Sequence, residues 1–545
     1  MPRLPHGLDV TPDTVANARS AVADRIADVP LGPTMVKPVD VRRFDFLFLG
    51  LQNDPDNLLP VSQETRDALV GLGEAMADQG ADDPAGDSSI SAAYTYLGQF
   101  VDHDITFETS SATGSQLTAP DLEPLPLNRI RQETHNVRTA LLELDSVYGL
   151  PAERDPKPNG PKMKIGEVQQ AGTPVPGKDA FNDVPREGPS VDVVHDRAAL
   201  IGDPRNDENL IIAQLQVAFL RAHNRLVDEM DPPNRFRRAK RRLRRHYQHI
   251  VLHDFLKQIA DPQIVDDTIQ QNRVYDPDFD NFFLPLEYSV AAFRFGHTMV
   301  RAEYDYNSNF NTTKVPPTSF NRATLARLFT FTALSGQIGG VGPIPEFATL
   351  PQNWIIQWEN FFEGGQFFNK ARRIDTELVE PLEHLTILSG QEEGGLAAKL
   401  AVRNLLRGYL LRLPTGQAVA RALRQRLQGV RNIPVLTPQQ IRQGAANQQQ
   451  IQALEDGGFL ERTPLWYYIL AEAAVLGKVE GQNQEGGQRL GPVGSTIVAE
   501  VLVGLVRRSP DSILDPRTDW EPNLPSAQPG TFTLPDLLKF GGVLG

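Results

Sequence analysis

The chain has 545 residues, 40% hydrophobic and 22% charged, which is the composition of an ordinary globular protein with ample material for a core. A formal net charge of -14 argues against nucleic acid as the main partner and says nothing of the fold. The absence of cysteine excludes disulfides, thiolate ligation of haem and Cys-based metal sites, and leaves the redox compartment open.

Length alone would allow about three or four domains. The first ten residues hold no apolar core of the kind a Sec-type signal peptide needs, so cytoplasmic residence or a non-Sec export route is expected. No run of about 18 apolar residues is present, and no spanning helix is expected. Residues 13–25 read as a short helix. Residues 44–51 are an apolar run, and residues 53–60 are rich in turn formers. Residues 1–60 are read as an extension packing on a core formed by 61–545. A helix is expected over 64–80 and a loop over 81–89.

The segment Tyr94–Phe107 is apolar and aromatic, yet it carries Asp102, His103 and Asp104 in a row. As a helix it puts Gln99 and His103 on one face, with each aspartate turned about 100° away. Burying a lone charge is costly, so partners for these side chains are expected. The bland alternative is a satisfied polar patch at a helix end. Residues 108–135 read as irregular. In Thr139–Gly149, acids alternate with leucines at Glu143 and Asp145. This suits either a solvated edge strand or an oxygen-donor cation site including Asp104. Residues 150–190, rich in Pro, Gly and Lys, read as a long surface loop or a linker.

Ile201–Asn209 opens a helix over 210–226. Its acids either complement the helix dipole or serve a site. The basic run 235–245 reads as a solvated helix face rather than a nucleic-acid patch. His246, His249 and His253 follow on one stripe. Without a zinc-type Glu arrangement they read as core and rim. Phe293-Arg-Phe-Gly-His-Thr-Met-Val300 embeds His297 among apolar residues. Residues 315–375 mix Gly-rich loops with aromatics. Residues 395–425 read as helix with a break at 413–416, and residues 429–452 as an exposed helix or loop. Helices are expected over 463–473 and 489–503.

Gly98-Gln-Phe-Val-Asp-His-Asp104, Gly202-Asp-Pro-Arg-Asn-Asp-Glu208, Phe293-Arg-Phe-Gly-His297 and Asn404-Leu-Leu-Arg407 together resemble the animal-type haem peroxidases, the peroxidase–cyclooxygenase superfamily, over roughly residues 90–510. The late helices resemble its bacterial branch. The resemblance implies a mainly α fold, a single large helical domain with little β structure, binding haem b and calcium (Ca2+). It implies His103 and Arg205 as the catalytic pair with Gln99 beside them. His297 is implied as the haem-iron ligand, Asn404 as its hydrogen-bond partner, and Arg294 and Arg407 as neighbours of the propionates. Asp102 and Glu208 match carboxylates that become ester-linked to haem. Asp104, Thr139, Leu141 (by its carbonyl), Glu143 and Asp145 match the calcium ligands, with Glu143 standing where aspartate is usual. His223 is read as structural.

The implied activity is reduction of hydrogen peroxide coupled to oxidation of a halide, thiocyanate or a phenolic donor, with a role in the response to oxidative stress. Asn209 stands where the most strongly oxidising animal member has methionine, which favours bromide, iodide, thiocyanate or organic donors over chloride. Arg294 stands where fatty-acid dioxygenases carry their radical tyrosine, which disfavours that activity. A linoleate-type dioxygenase and a non-catalytic haem-binding or adhesion protein are the alternatives.

Overall fold

A computed structural model describes residues 43–545 apart from 79–85, 110–116, 150–159, 192–194, 278–281, 314–320, 333–337, 339–346, 386–394, 480–484 and 510. The helix read over 13–25 lies outside the described residues. The fold is mainly α. Its β structure, among the described residues, consists of separate two-stranded ladders, most of them two residues long, and isolated bridges.

Helix α1 (Gln63–Ala75) is capped by Ser62, whose hydroxyl accepts from the Thr65 amide. The next helix, α2 (Ala92–Ile105), is the Asp-His-Asp segment. Ser91 caps it, and eleven of its side chains are buried. It packs on α3 (Leu210–Asp228), where Phe100 stacks on Phe219 with centroids 4.4 Å apart. Tyr247 of α4 (Arg235–His249) closes edge-on against both rings. Three large apolar rings thus pin α2 to the core, and its polar residues are carried in with it.

Helix α4 runs on into a π-helical stretch, Ile250–Phe255, which ends in a last α turn. The basic face of α4 is only partly solvated. Arg242 donates to Asn523, Arg244 to Glu143, and Arg241 pairs with Asp511. The histidine stripe divides as core and rim: His246 is buried with both ring nitrogens engaged, whereas His253 is exposed.

The segment carrying His297 is not a regular α-helix. It is a π-helical stretch, Glu287–Ala291, followed by a 3-10 turn, Ala292–His297. Such irregular turns recur at functional sites because they re-aim side chains. They are braced by α5 (Leu400–Leu410), α7 (Leu465–Leu476) and α8 (Pro492–Arg508), while α6 (Gly416–Arg426) packs on α7 and α8. The Trp466 indole donates to the Arg294 carbonyl at 3.3 Å. The expected break at 413–416 is real, and the Gly416 position is set against the Tyr468 ring. A final helix, α9 (Leu534–Phe540), packs back on α3 and the π-helical stretch.

Residues 160–190 carry little regular structure but are not a loose surface loop. Val168, Val175, Asn182, Asp183 and Val184 are buried, and Gln169 bridges to Pro351. Thr139–Gly149 is likewise drawn inward, with Ala140, Leu142, Leu144 and Val147 buried and only Asp145–Tyr148 helical.

Candidate functional site

One cavity lies between α2 and the 3-10 turn, enclosing about 970 Å³ of space between atoms, part of it open to solvent. Gln99 and Asp102 line it from α2, Glu208 and Asn209 from the entry to α3, and Arg294 and His297 from the 3-10 turn. The remaining wall is largely apolar, with Phe255, Phe293, Phe295 and Met299 among it.

On the α2 side, His103 is fully buried beside Asp102 and does not itself line the cavity. Its Nδ1 lies 2.7 Å from Asn206 Oδ1. The Asn206 amide is held in that orientation because its Nδ2 donates to Gln216 at 2.8 Å. An oxygen there accepts, so Nδ1 carries the proton and the lone pair falls on Nε2. Burial, then the Arg205 guanidinium, push the imidazole down to about 3, so it is neutral near pH 7. A neutral ring with an unprotonated Nε2 is what a proton acceptor requires.

Arg205 is held by Asp203, which accepts from its Nη2 at 2.7 Å and its Nε at 3.1 Å. It also donates to the His103 and Thr106 carbonyls and lies over the Phe107 ring at 4.5 Å. Asp203 is shared with Arg138 at 2.6 Å. Gln99 donates to Glu208 and accepts from Asn209 at 3.2 Å, tying three cavity-lining side chains together. Asp102 accepts from Thr106 at 2.9 Å. Burial raises its carboxyl, against the pull of Arg205 and Arg294.

Across the cavity, burial and then Arg294 push His297 down to about 3, leaving it neutral. Its Nδ1 lies 2.9 Å from Asn404 Nδ2, while Asn404 Oδ1 accepts from Arg294 at 3.2 Å. With the amide this way round, Nδ2 donates to Nδ1 and the ring proton sits on Nε2. Ligation of a metal through Nε2 requires the reverse, with Oδ1 accepting from Nδ1–H. Arg294 holds the amide in its present sense, so the two orientations are coupled to where that guanidinium points. Arg407 is paired with Glu108 and lies outside the cavity wall.

The residues expected to hold calcium gather only in part. Asp104 is fully buried and accepts from the amides of Leu144 at 3.1 Å and Ser146 at 3.4 Å. Thr139 donates to Asp145 at 3.0 Å, and burial together with Asp145 raises Asp104 to about 8. Glu143 instead turns to Arg244, 3.2 Å away, and the Leu141 carbonyl accepts from the Glu143 amide at 2.9 Å. Among the described residues no three acidic or imidazole side chains converge as a metal site. Asp104 and Asp145 thus lie close enough to act on one another, while Glu143 faces Arg244.

Asp203, Asn206 and Arg138 were not singled out from the sequence. Asp203 and Asn206 do flank Arg205, so their proximity was the available signal. His223 is structural: its Nε2 donates to the Pro161 carbonyl at 3.0 Å and its Nδ1 accepts from Tyr148 at 2.9 Å.

Residues 123–336 match the family model described as animal haem peroxidase. That segment of the chain is similar to the animal haem peroxidases. A peroxidase-like protein of Margaritifera margaritifera is 28% identical over 265 residues, 39% of this chain and 32% of that protein. Thyroid peroxidase of Canis lupus familiaris is 24% identical over 326 residues, 45% of this chain and 31% of that protein. The matched stretches thus span about a third or less of the curated relatives. Peroxidase A of Dictyostelium discoideum shares the fold, with a TM-score of 0.53, 17% identity, and coverage of 88% of this chain and 89% of that one. The superfamily's haem suits the cavity on the chemistry of its walls: apolar faces, two carboxylates, an arginine and a neutral imidazole. Among the described residues no helix is long and apolar enough to cross a membrane.

Proposed function

We propose that this protein is a haem peroxidase, reducing hydrogen peroxide and oxidising a halide, thiocyanate or a phenolic donor. The observation that carries the reading is the cavity itself. His297 stands on one wall, and Asp102, beside buried neutral His103, stands on the other. When bound, the haem iron supplies the open coordination position and the redox chemistry.

His297 would hold the iron, with Asn404 turned to accept from its Nδ1–H. Arg294, released from Asn404, would meet a propionate, with Arg407 nearby. Asp102 and Glu208 both face the cavity, where ester links to the macrocycle would form. His103 takes a proton from peroxide at Nε2, with the tautomer set by Asn206. The Arg205 guanidinium, fixed by Asp203, supplies positive charge toward the oxygen that leaves. Gln99 positions Glu208 and Asn209 at the cavity wall. Asn209 in place of methionine favours bromide, iodide, thiocyanate or organic donors over chloride. Asp104 and Asp145, with Thr139, would hold a calcium ion, and Glu143 would join only by leaving Arg244.

The test is spectroscopic. Haem added to the purified chain should give a Soret band that His297→Ala abolishes, and His103→Ala should keep the band while losing peroxide turnover. No absorbance change on haem addition refutes the reading. Turnover unchanged in His103→Ala favours a haem-binding protein without this chemistry. Peroxide-independent oxygen uptake with linoleate favours a dioxygenase.

A further inference from the structure

Two tyrosines line the cavity, Tyr94 and Tyr96. Their hydroxyls meet different partners. Tyr96 is 2.9 Å from the hydroxyl of Tyr304, another buried phenol. Tyr94 donates to Asp254 Oδ1 at 2.7 Å, from α2 to the π-helical stretch Ile250–Phe255. The other oxygen of Asp254 accepts from the Leu534 amide at 2.8 Å. Asp254 is buried, with only 6% of its surface exposed. The next residue, Phe255, lines the same cavity.

The difference matters for oxidation. A phenol that loses an electron becomes a strong acid, so a buried tyrosine is readily oxidised only where its proton has a base to go to. Tyr304 is a poor base. A carboxylate already hydrogen-bonded to the hydroxyl is a good one. Burial raises Asp254 to about 6, against the Leu534 and Tyr94 hydrogen bonds, which keeps it an acceptor near neutral pH and a better base than an exposed aspartate.

We propose that Tyr94 is a redox-active residue of the peroxidase cycle, with Asp254 as its proton acceptor. The inference rests on the haem reading above. Tyr94 gives one electron to the peroxide-oxidised haem and its phenolic proton to Asp254 Oδ1. The O–H bond of the phenol breaks, that of the carboxylic acid forms, and a neutral tyrosyl radical remains. An external one-electron donor then reduces the radical while Asp254 returns the proton. This differs from the dioxygenase arrangement, whose tyrosine would stand at the position of Arg294.

The experiment is electron paramagnetic resonance on the full haem-loaded chain, frozen seconds after one equivalent of hydrogen peroxide. Samples carrying ring-deuterated tyrosine identify tyrosyl signals by their narrowing. The wild type should give a tyrosyl signal that Tyr94→Phe lowers at least tenfold and Tyr96→Phe leaves in place. Asp254→Asn keeps an acceptor for the hydroxyl but no base, and should lower the signal severalfold with the Soret band retained. A wild-type sample that takes up haem and consumes peroxide without a tyrosyl signal overturns the inference alone. So does a signal equal in wild type and Tyr94→Phe, or unaffected by Asp254→Asn. Failure to take up haem overturns the function reading and this inference together.

Discussion

Asp203→Asn is the most informative single change at the site. Asp203 is fully buried and holds two guanidiniums, Arg138 by Nη2 at 2.6 Å and Arg205 by Nη2 at 2.7 Å. Burial opposes ionisation of this carboxyl. The two guanidiniums outweigh it, and the group is held well below the usual aspartate range. Asparagine preserves the shape and removes the charge, leaving two cations facing each other without an anion. Breaking a buried pair by removing one partner costs roughly 3–5 kcal/mol. Here the remaining carbonyl acceptors, Gly202 for Arg138 and His103 and Thr106 for Arg205, soften the loss, so about 3 kcal/mol is expected. A thermal scan at pH 7 should show a melting temperature several degrees lower.

The linkage gives a second signature. A depressed carboxyl stabilises above its unfolded pKa, and that contribution is lost as pH falls through the acid range. The difference between wild type and Asp203→Asn should therefore shrink below about pH 4. Peroxide turnover should fall by about tenfold or more, short of the roughly hundred- to thousandfold seen when a charge-stabilising donor is deleted outright. An unchanged melting temperature with unchanged turnover would refute the claim that Asp203 fixes Arg205.

Glu472 accepts from the amides of Val493 and Gly494 at the start of α8, and burial raises it from 4.5 to about 8. A raised carboxyl stabilises fully below its unfolded pKa and loses that contribution as pH rises through the folded one. Wild type should accordingly weaken between about pH 5 and 8 by at most about 5 kcal/mol, and Glu472→Gln should be flatter across that window in melting scans. Gly416→Ala would set a methyl 2.0 Å from Tyr468 Cγ, so one of the two elements must move. The expected loss is about 1–3 kcal/mol, read by urea denaturation. If Asp104 and Asp145 hold calcium, adding it in hundredfold excess over its dissociation constant should stabilise by about 2.7 kcal/mol, and a chelator should reverse this. The increment should vanish in Asp145→Asn and survive in Glu143→Gln. Loss in Glu143→Gln would show that Glu143 leaves Arg244 to bind the ion.

What the sequence disclosed, and what it hid, follows from distance along the chain. The long helices were legible because their apolar spacing is local: α3 and α8 bury nearly every turn, and the break before α6 is written as Pro414 and Gly416. The histidines were legible because each sits in a short motif. Their partners at long range were not. Glu143 read as a cation ligand since nothing local reveals Arg244, 101 residues on. Tyr94 read only as part of an apolar and aromatic segment, though its hydroxyl answers to Asp254, 160 residues away. The π-helical turns before His297 were hidden for another reason: one extra residue in a turn leaves composition and motif intact while rotating every side chain beyond it. The motif therefore named the residues, but only the packing of α5 and α7 beneath them shows how an imidazole, an amide and a guanidinium come to share one short hydrogen-bonded line at the cavity wall.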